Sequence, residues 1–256
     1  MKIDPNRRVK RGWMNLRIER IDEDCHDTRT LFFSDADQGG RQFDYVAGQY
    51  LTFRFDDVSE KPLVRSYTMS SSPREADLIA VTVKEVEDPF ISKILVRDSR
   101  VGQVLRARGP IGKFVFDSEA DQDHLVMIAG GSGVTPFISI MREYMDRLGQ
   151  AGAPKKMSLL VSYRSKKDLI LWNDIQTINK HQNCKIITTL SRENAEHEGF
   201  WFGRIHTEMI DRLLDGDYRQ CTFMTCGPEA IMKTAVESAR MRGVSEANIK
   251  TESFSS

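Results

Sequence analysis

The sequence predicts a two-domain protein of β plus α/β class: a small antiparallel β-barrel over residues 1–119, then a doubly wound parallel sheet over residues 120–256. The prediction rests on a change of pattern part-way along the chain. Before about residue 119, short apolar segments follow one another with little helical period, the signature of a small barrel. Beyond it, apolar runs alternate with helical stripes, as in a parallel sheet wound on both faces.

In the first half the predicted strands cover 16–21, 28–33, 50–55, 64–69, 78–86, 103–107 and 113–116, with turn signals such as Asp35-Ala36-Asp37-Gln38-Gly39-Gly40 and Ser72-Pro73 between them. Alternation along 64–69 sets Arg65 and Tyr67 on one face and Ser66 and Thr68 on the other. An arginine fork grips phosphate and a tyrosine ring suits a flat ligand, although an ordinary surface strand accounts for the same residues. Asp88-Pro89-Phe90-Ile91-Ser92 opens the helix of this half: Asp88 caps it, Pro89 takes its first position, and Ile91, Ile94 and Leu95 point inward. Its N-terminus would be a second anion grip, and two grips suit a pyrophosphate better than a single phosphate. Residues 109–114, with Gly109, Pro110 and Gly112, read as a turn between strands.

The second half opens on a buried apolar strand at 125–129 that stops at Gly130-Gly131-Ser132-Gly133, with a helix over 134–148 after it. Glycines allow a sharp turn and close approach to the main chain, and the helix start attracts an anion. The run lacks the Gly-Lys-Ser/Thr of a Walker loop, and Pro136 breaks the common dinucleotide fingerprint, so a tight turn without ligand is the competing reading. Strands at 157–163, 185–190, 221–226 and 249–254 alternate with helices at 168–180, 207–214 and 228–242. Such a sheet binds ligands outside its carboxyl ends. There stand Arg164, Ser165, Lys166, Lys167, Ser191 and Arg192, which either suit a ribose 2′-phosphate or form an ordinary solvated basic loop, and Cys226-Gly227-Pro228. Cys226 is either a buried small hydrophobe or a residue at the ligand edge. Trp172, Phe200, Trp201 and Phe202 are expected to pack in the core or under loops.

Lys plus Arg and Asp plus Glu both number 37, which argues against a nucleic-acid binder. The basic N-terminal residues precede no apolar stretch, and the 125–141 run is too short and broken for a membrane span, so a cytoplasmic protein is expected. The 4 cysteines, Cys25, Cys184, Cys221 and Cys226, are too few and scattered for a disulfide scaffold or a zinc site. Cys221 and Cys226 have the C-x4-C spacing that opens one iron–sulfur motif, but no C-x2-C follows and no metal is predicted. The arginines at 97, 100, 106 and 108 either meet an acidic partner or form a solvated face.

Taken in order, Arg65-Ser66-Tyr67-Thr68, Phe90-Ile91-Ser92, Gly109-Pro110-x-Gly112-x-Phe114, Gly131-x-Gly133-x-Thr135-Pro136, Cys226-Gly227-Pro228 and Glu252-Ser253-Phe254 resemble the ferredoxin–NADP reductase superfamily, above all the flavin reductase components of bacterial multicomponent oxygenases. The resemblance spans roughly residues 13–254. It implies FAD, in preference to FMN, in the barrel and a nicotinamide dinucleotide on the sheet. Arg65 would bind the flavin phosphates, Tyr67 would stack on the isoalloxazine and Thr68 would lie near its N5, with Ser66 among the cofactor-binding residues. Thr82, Val83 and Lys84 would pass along the flavin, as would Phe90, Ile91 and Ser92. Gly130, Gly131, Ser132, Gly133, Thr135 and Pro136 would hold the nicotinamide pyrophosphate. Gly227 and Pro228 would border it, and Cys226 would stand behind the nicotinamide. Tyr67, Thr68, Cys226 and Glu252 form the implied reacting end.

Hydride transfer would need nicotinamide C4 within roughly 3–3.5 Å of flavin N5 and little acid–base chemistry. Ser191-Arg192-Glu193 and Arg164 favour NADPH over NADH, although the Lys-x-Tyr of plant-type reductases is replaced within Gly199-Phe200-Trp201-Phe202-Gly203. Asp88-Pro89 stands where many relatives carry glycine. Many relatives also continue past Glu-x-Phe into a ferredoxin domain, so either the electron acceptor is a separate ferredoxin or oxygenase component or such a domain has been removed after Ser256. A monomer is expected. The alternatives are a reductase of free flavin or dioxygen, and a flavin relay subunit without nicotinamide chemistry.

Overall fold

The computed structural model describes residues 12–37, 43–56, 58–75, 78–86, 91–214, 218 and 220–254. The described residues up to 115 and those from 116 onward form separate compact units, each with its own core.

The first unit contains β1 (Trp13–Cys25), β2 (Thr28–Asp35), β3 (Tyr50–Phe55), β4 (Leu63–Thr68), β5 (Ile79–Lys84) and β6 (Val104–Ile111). All pairs are antiparallel, in the order β4-β3-β6-β1-β2-β5. The end strands meet at Met69 and Val81, where Ser70 N also donates to Ala80 O at 2.8 Å, and this closes the sheet into a barrel. Inward residues of successive strands fill it, with the Phe33 and Phe53 rings 5.3 Å apart. A short helix, α1 (Ile91–Lys93), continues as a π-turn over Ile94–Asp98 and packs Ile91, Leu95 and Val96 into the same core. The expected cap Asp88 and first position Pro89 lie outside the described residues, as does Phe90.

Several expectations change here. β1 is longer than the apolar stretch at 16–21 because it pairs with β6 in its first half and with β2 throughout its second, and the irregularities between Ile18 and Arg20 and between Glu23 and Cys25 break the alternation. Gly109 and Pro110 lie within β6, which stays paired with β3 as far as Ile111 opposite Tyr50, so the turn comes later. Residues 113–116 are not a strand. Phe114 and Phe116 are buried all the same, Phe116 edge-on to Tyr144 at 5.3 Å. Burial of these rings produced the alternation without strand pairing.

The second unit comprises β7 (His124–Gly130), α2 (Thr135–Tyr144), β8 (Lys156–Tyr163), α3 (Trp172–Ile178), β9 (Cys184–Leu190), β10 (Trp201–Phe202), α4 (Thr207–Leu214), β11 (Cys221–Cys226), α5 (Glu229–Met241) and β12 (Ile249–Glu252). The strands are parallel in the order β10-β9-β8-β7-β11-β12. The chain winds outward from β7 to β10, then returns to β11 on the other side of β7. That reversal is the topological switch point, where open α/β sheets take ligands. Central burial is complete: Leu125, Val126, Met127, Ile128 and Ala129 are all 0 % exposed.

The helix expected over 168–180 is broken by Leu171, whose φ of 53° is left-handed, so α3 starts only at Trp172. β10 was not expected. Phe200 does pack, stacked on Trp172 at 5.2 Å, but Trp201 and Phe202 pair with Thr189 and Leu190 as an edge strand, and Phe202 is 48 % exposed. Cys221 and Cys226 share β11 and both are buried. No helix among the described residues is long and apolar enough to cross a membrane.

Candidate functional site

In the barrel, β4 and β5 pair only at the Met69–Val81 bridge, which leaves a seam between 65–68 and 82–84 without a ladder among the described residues. A seam of unmatched main chain invites a ligand that can hydrogen-bond. On its β4 side, Arg65 and Tyr67 oppose Phe53 and Leu51, the inward residues of β3. The Tyr67 ring centroid is 6.1 Å from that of Phe53, and the ring is only partly buried, so one face can pack while the other stays available. Burial pushes the Tyr67 phenol well above its usual range, against the pull of Arg65, and keeps it neutral. Arg65 donates from Nη1 to its neighbour's carbonyl, Val64 O, at 2.9 Å, while its buried Nε has no acceptor among the described residues. Buried N–H groups almost always find acceptors, and a phosphate oxygen fits a guanidinium edge.

The remaining predicted flavin residues are placed as follows. Ser66 is exposed on the outer face, its Oγ 2.9 Å from Thr52 Oγ1, so its side chain does not share the Arg65 face. Thr68 is buried. Thr82 Oγ1 sits 2.9 Å from Thr30 Oγ1 and 2.8 Å from Ser70 Oγ, and Val83 is in the core. Lys84 Nζ reaches Asp27 Oδ2 at 2.5 Å; burial alone would raise the Asp27 carboxyl, but Lys84 and Thr28 hold it below the usual carboxylate range. Thr82, Val83 and Lys84 therefore offer a ligand main chain more than side chain. Ile91 belongs to the core, and Ser92 Oγ accepts the Val86 N–H at 3.1 Å, tying the end of β5 to α1.

Sequence reasoning passed over Ser70 and Ser71, both 0 % exposed. Ser71 Oγ accepts the Ala80 N–H at 2.9 Å and lies 2.7 Å from Tyr45 Oη, so these serines fasten the closed end of the seam. The signal was present as the Ser70-Ser71-Ser72-Pro73 run directly after Arg65–Met69 in the sequence.

On the sheet, the glycine run and Cys226-Gly227-Pro228 interlock at the switch point. A Cβ on Gly133 would strike Cys226 O and stand 2.8 Å from Gly227 Cα; one on Gly227 would stand 2.9 Å from Gly130 N. Gly130 is similarly closed off by Ile231 and Pro228. Gly131 differs: its φ is 55° and a Cβ there would meet nothing within 4 Å, so the turn presents main chain to open space. Ser132 follows, its carbonyl accepting Thr135 Oγ1 at 3.0 Å, and Pro136 sits in the first turn of α2. An open turn beside a helix start is an arrangement that can take an anion.

Cys226 ends β11 in register with Ala129 on one side and Glu252 on the other. Burial, and then the Glu252 carboxylate, push its thiol far above the usual range, which favours the neutral thiol over the thiolate. Glu252 is half-buried, and burial raises its own carboxyl. Farther along the same sheet edge, Ser191 N donates to Tyr163 O and Arg192 N to Arg164 O, each at 2.9 Å, which sets Arg164 and Arg192 side by side. Both are exposed, with no acidic partner among the described residues. Lys166 is engaged instead, 2.7 Å from Glu198 and 3.6 Å from Glu193.

Residues 15–116 match the oxidoreductase FAD-binding domain family and residues 127–237 the oxidoreductase NAD-binding domain family. The chain is 29% identical to the glycine betaine monooxygenase reductase subunit of Chromohalobacter salexigens, over 95% of this chain and 64% of that protein. It is 27% identical to the ferredoxin reductase component of 3-ketosteroid-9-alpha-monooxygenase of Rhodococcus rhodochrous, over 94% of this chain and 65% of the other. The chain thus spans less than two thirds of either relative. Among solved structures, a ferredoxin NADP+ reductase from Neisseria gonorrhoeae with bound FAD and NADP superposes with a TM-score of 0.78 at 18% identity, covering 95% of this chain and 99% of that one. The ferredoxin reductase in carbazole 1,9a-dioxygenase gives 0.78 at 19%, covering 95% and 70%. At such identities these structures establish the fold alone.

Proposed function

The chain belongs to the ferredoxin–NADP reductase superfamily, and on that premise we propose that it is an NAD(P)H-dependent flavoenzyme that moves hydride from NADPH onto FAD and electrons, singly, to a separate ferredoxin-like protein or oxygenase component. The observation that carries the proposal is the presence, in one chain, of an arginine on the barrel's open seam whose buried Nε has no acceptor among the described residues and of an open glycine turn at the sheet's switch point.

Bound FAD supplies what side chains lack, accepting a hydride and releasing electrons one at a time. The chain's residues bind and orient. Arg65, whose Nε has no acceptor among the described residues, would bind the flavin phosphates, Tyr67 would offer its ring to the isoalloxazine, and Thr68 would stand near the reacting edge. Thr82, Val83 and Lys84, with Ile91 and Ser92, would border the flavin through main chain and the Ser92 hydroxyl; Phe90, which the sequence assigned with them, lies outside the described residues. Gly130, Gly131, Ser132, Gly133, Thr135 and Pro136 hold the nicotinamide pyrophosphate, with Gly227 and Pro228 alongside. Neutral Cys226 and its neighbour Glu252 close off water from the nicotinamide. Arg164, Ser191 and Arg192 favour NADPH, because two exposed guanidiniums without acidic partners among the described residues suit a 2′-phosphate. We place the protein in the cytoplasm as a monomer.

The test is steady-state turnover of the FAD-loaded protein with NADPH and NADH in turn, using a ferredoxin, free FMN and dioxygen as acceptors. Ferredoxin should be reduced faster than free FMN or dioxygen, with NADPH the better donor. Faster turnover of free flavin or dioxygen would support the alternative reductase, and no turnover with any acceptor would support a relay subunit.

A further inference from the structure

The hairpin that joins β1 to β2 gathers three side chains able to hold a metal from consecutive residues, Cys25, His26 and Asp27. Their donor atoms, the Cys25 sulfur, an imidazole nitrogen and a carboxylate oxygen, all lie within 4.8 Å of one another. The turn explains the convergence. Cys25 pairs across the hairpin with Thr28, so His26 and Asp27 alone make the bend. The irregularity between Glu23 and Cys25 also breaks the alternation of β1 just before the cysteine, a device that re-aims a side chain. Cysteine spacing alone predicts no metal, because the other cysteines stand far along the chain; here a histidine and a carboxylate supply the missing donors.

The distances suit a tetrahedral ion. At zinc bond lengths of about 2.0–2.3 Å, neighbouring ligand atoms stand roughly 3.3–3.6 Å apart. Cys25 Sγ is 3.5 Å from Asp27 Oδ1, and His26 Nε2 is 3.6 Å from Asp27 Oδ2. Two edges of the tetrahedron are therefore formed, and rotation of the exposed His26 side chain closes the third. A ligating carboxylate also needs outer partners to hold it. Asp27 has them: Lys84 Nζ donates to Oδ2 at 2.5 Å and Thr28 Oγ1 to Oδ1 at 3.1 Å, while Asp27 O accepts the Glu85 N–H at 2.7 Å and docks the turn on the end of β5. Asp24, close enough to act on Cys25, offsets the Lys84 charge. A donor set of sulfur, imidazole and carboxylate selects zinc over magnesium and calcium, which take oxygen.

We propose that Cys25, His26 and Asp27 bind one zinc ion, with water in the fourth position. None of the three is among the residues assigned to the flavin or the nicotinamide dinucleotide. Coordination takes the Cys25 thiol as thiolate and releases its proton to solvent, so thiolate and carboxylate together balance the charge of the ion. The bound ion ties the hairpin turn to the strand before it and stabilises the folded chain by mass action.

The test titrates the full chain, free of any tag and stripped with a chelator, with ZnCl2 by calorimetry and with CoCl2 by absorption, beside Cys25→Ser and His26→Gln. The wild type should take up one zinc ion per chain, show the charge-transfer and intense visible bands of a thiolate-bound tetrahedral cobalt ion, and melt at a higher temperature with zinc than without. Cys25→Ser should lose the charge-transfer band. Each variant should bind zinc at least about tenfold more weakly, since a ligand counts for no less than its outer partners do. His26 is exposed, so His26→Gln should fold as the wild type does, which an unchanged metal-free melting temperature verifies. No zinc uptake by the wild type, cobalt bands that persist in Cys25→Ser, undiminished zinc affinity in His26→Gln, or displacement of zinc by an equal concentration of MgCl2 or CaCl2 would each overturn the site.

Discussion

Arg65 concentrates the account at the level of single residues. Its Nε is buried without an acceptor among the described residues, and supplying one is what a flavin phosphate would do. Arg65→Ala should weaken FAD binding by about 10- to 100-fold, following the ~1.5–3 kcal/mol of a charge-assisted hydrogen bond, as read by fluorescence titration of the apoprotein. Unchanged affinity would remove Arg65 from the flavin site. Glu252 gives a pH prediction. Burial raises its folded pKa above the unfolded value, so the folded state holds the proton more tightly and stability falls as pH rises through the window between the two. Glu252→Gln should flatten that fall, with its advantage appearing above the ordinary glutamate pKa in denaturation curves measured across pH; a parallel pair of curves would contradict it. The Arg65 and Tyr67 face was legible in the sequence because period-2 alternation is local. The engagement of Ser66 by Thr52, and of Thr82 by Thr30 and Ser70, was not, because those partners come from other strands.

Among the elements, the parallel sheet was legible wherever a long apolar run met a helical stripe, as in β7 and α2. The short edge strand β10 was hidden, because two aromatic residues pairing with Thr189 and Leu190 carry no periodic signal. The stretch at 113–116 was misread for the complementary reason: Phe114 and Phe116 alternate as in a strand but are buried without a ladder. The glycine turn was visible as a turn, whereas its meshing with the Cys226-Gly227-Pro228 turn depends on β7 and β11 being neighbours, which topology alone supplies. Gly133→Ala tests that meshing. Its methyl would collide with the Cys226 carbonyl, so the variant should lose about 1–3 kcal/mol of stability. It should also bind NADPH at least about tenfold more weakly while FAD stays on the barrel, read by NADPH titration against the flavin absorbance; the tenfold corresponds to about 1.4 kcal/mol. Full NADPH affinity in the variant would contradict the cradle.

Taken whole, the molecule joins an antiparallel barrel to a parallel doubly wound sheet, and that two-part layout was readable from the change of period alone. The family resemblance added the cofactors, and the domain families matched over 15–116 and 127–237 establish the membership. The central claim is that the barrel holds a flavin which the nucleotide held on the sheet reduces. Its most direct test is an anaerobic titration of the purified, FAD-supplemented protein with NADPH, followed in the flavin's visible absorption band. The account predicts that the protein retains FAD through gel filtration and that its yellow band bleaches as NADPH is added. Protein that emerges colourless after FAD and FMN in excess, or bound FAD that stays oxidised with NADPH and NADH alike, would contradict it.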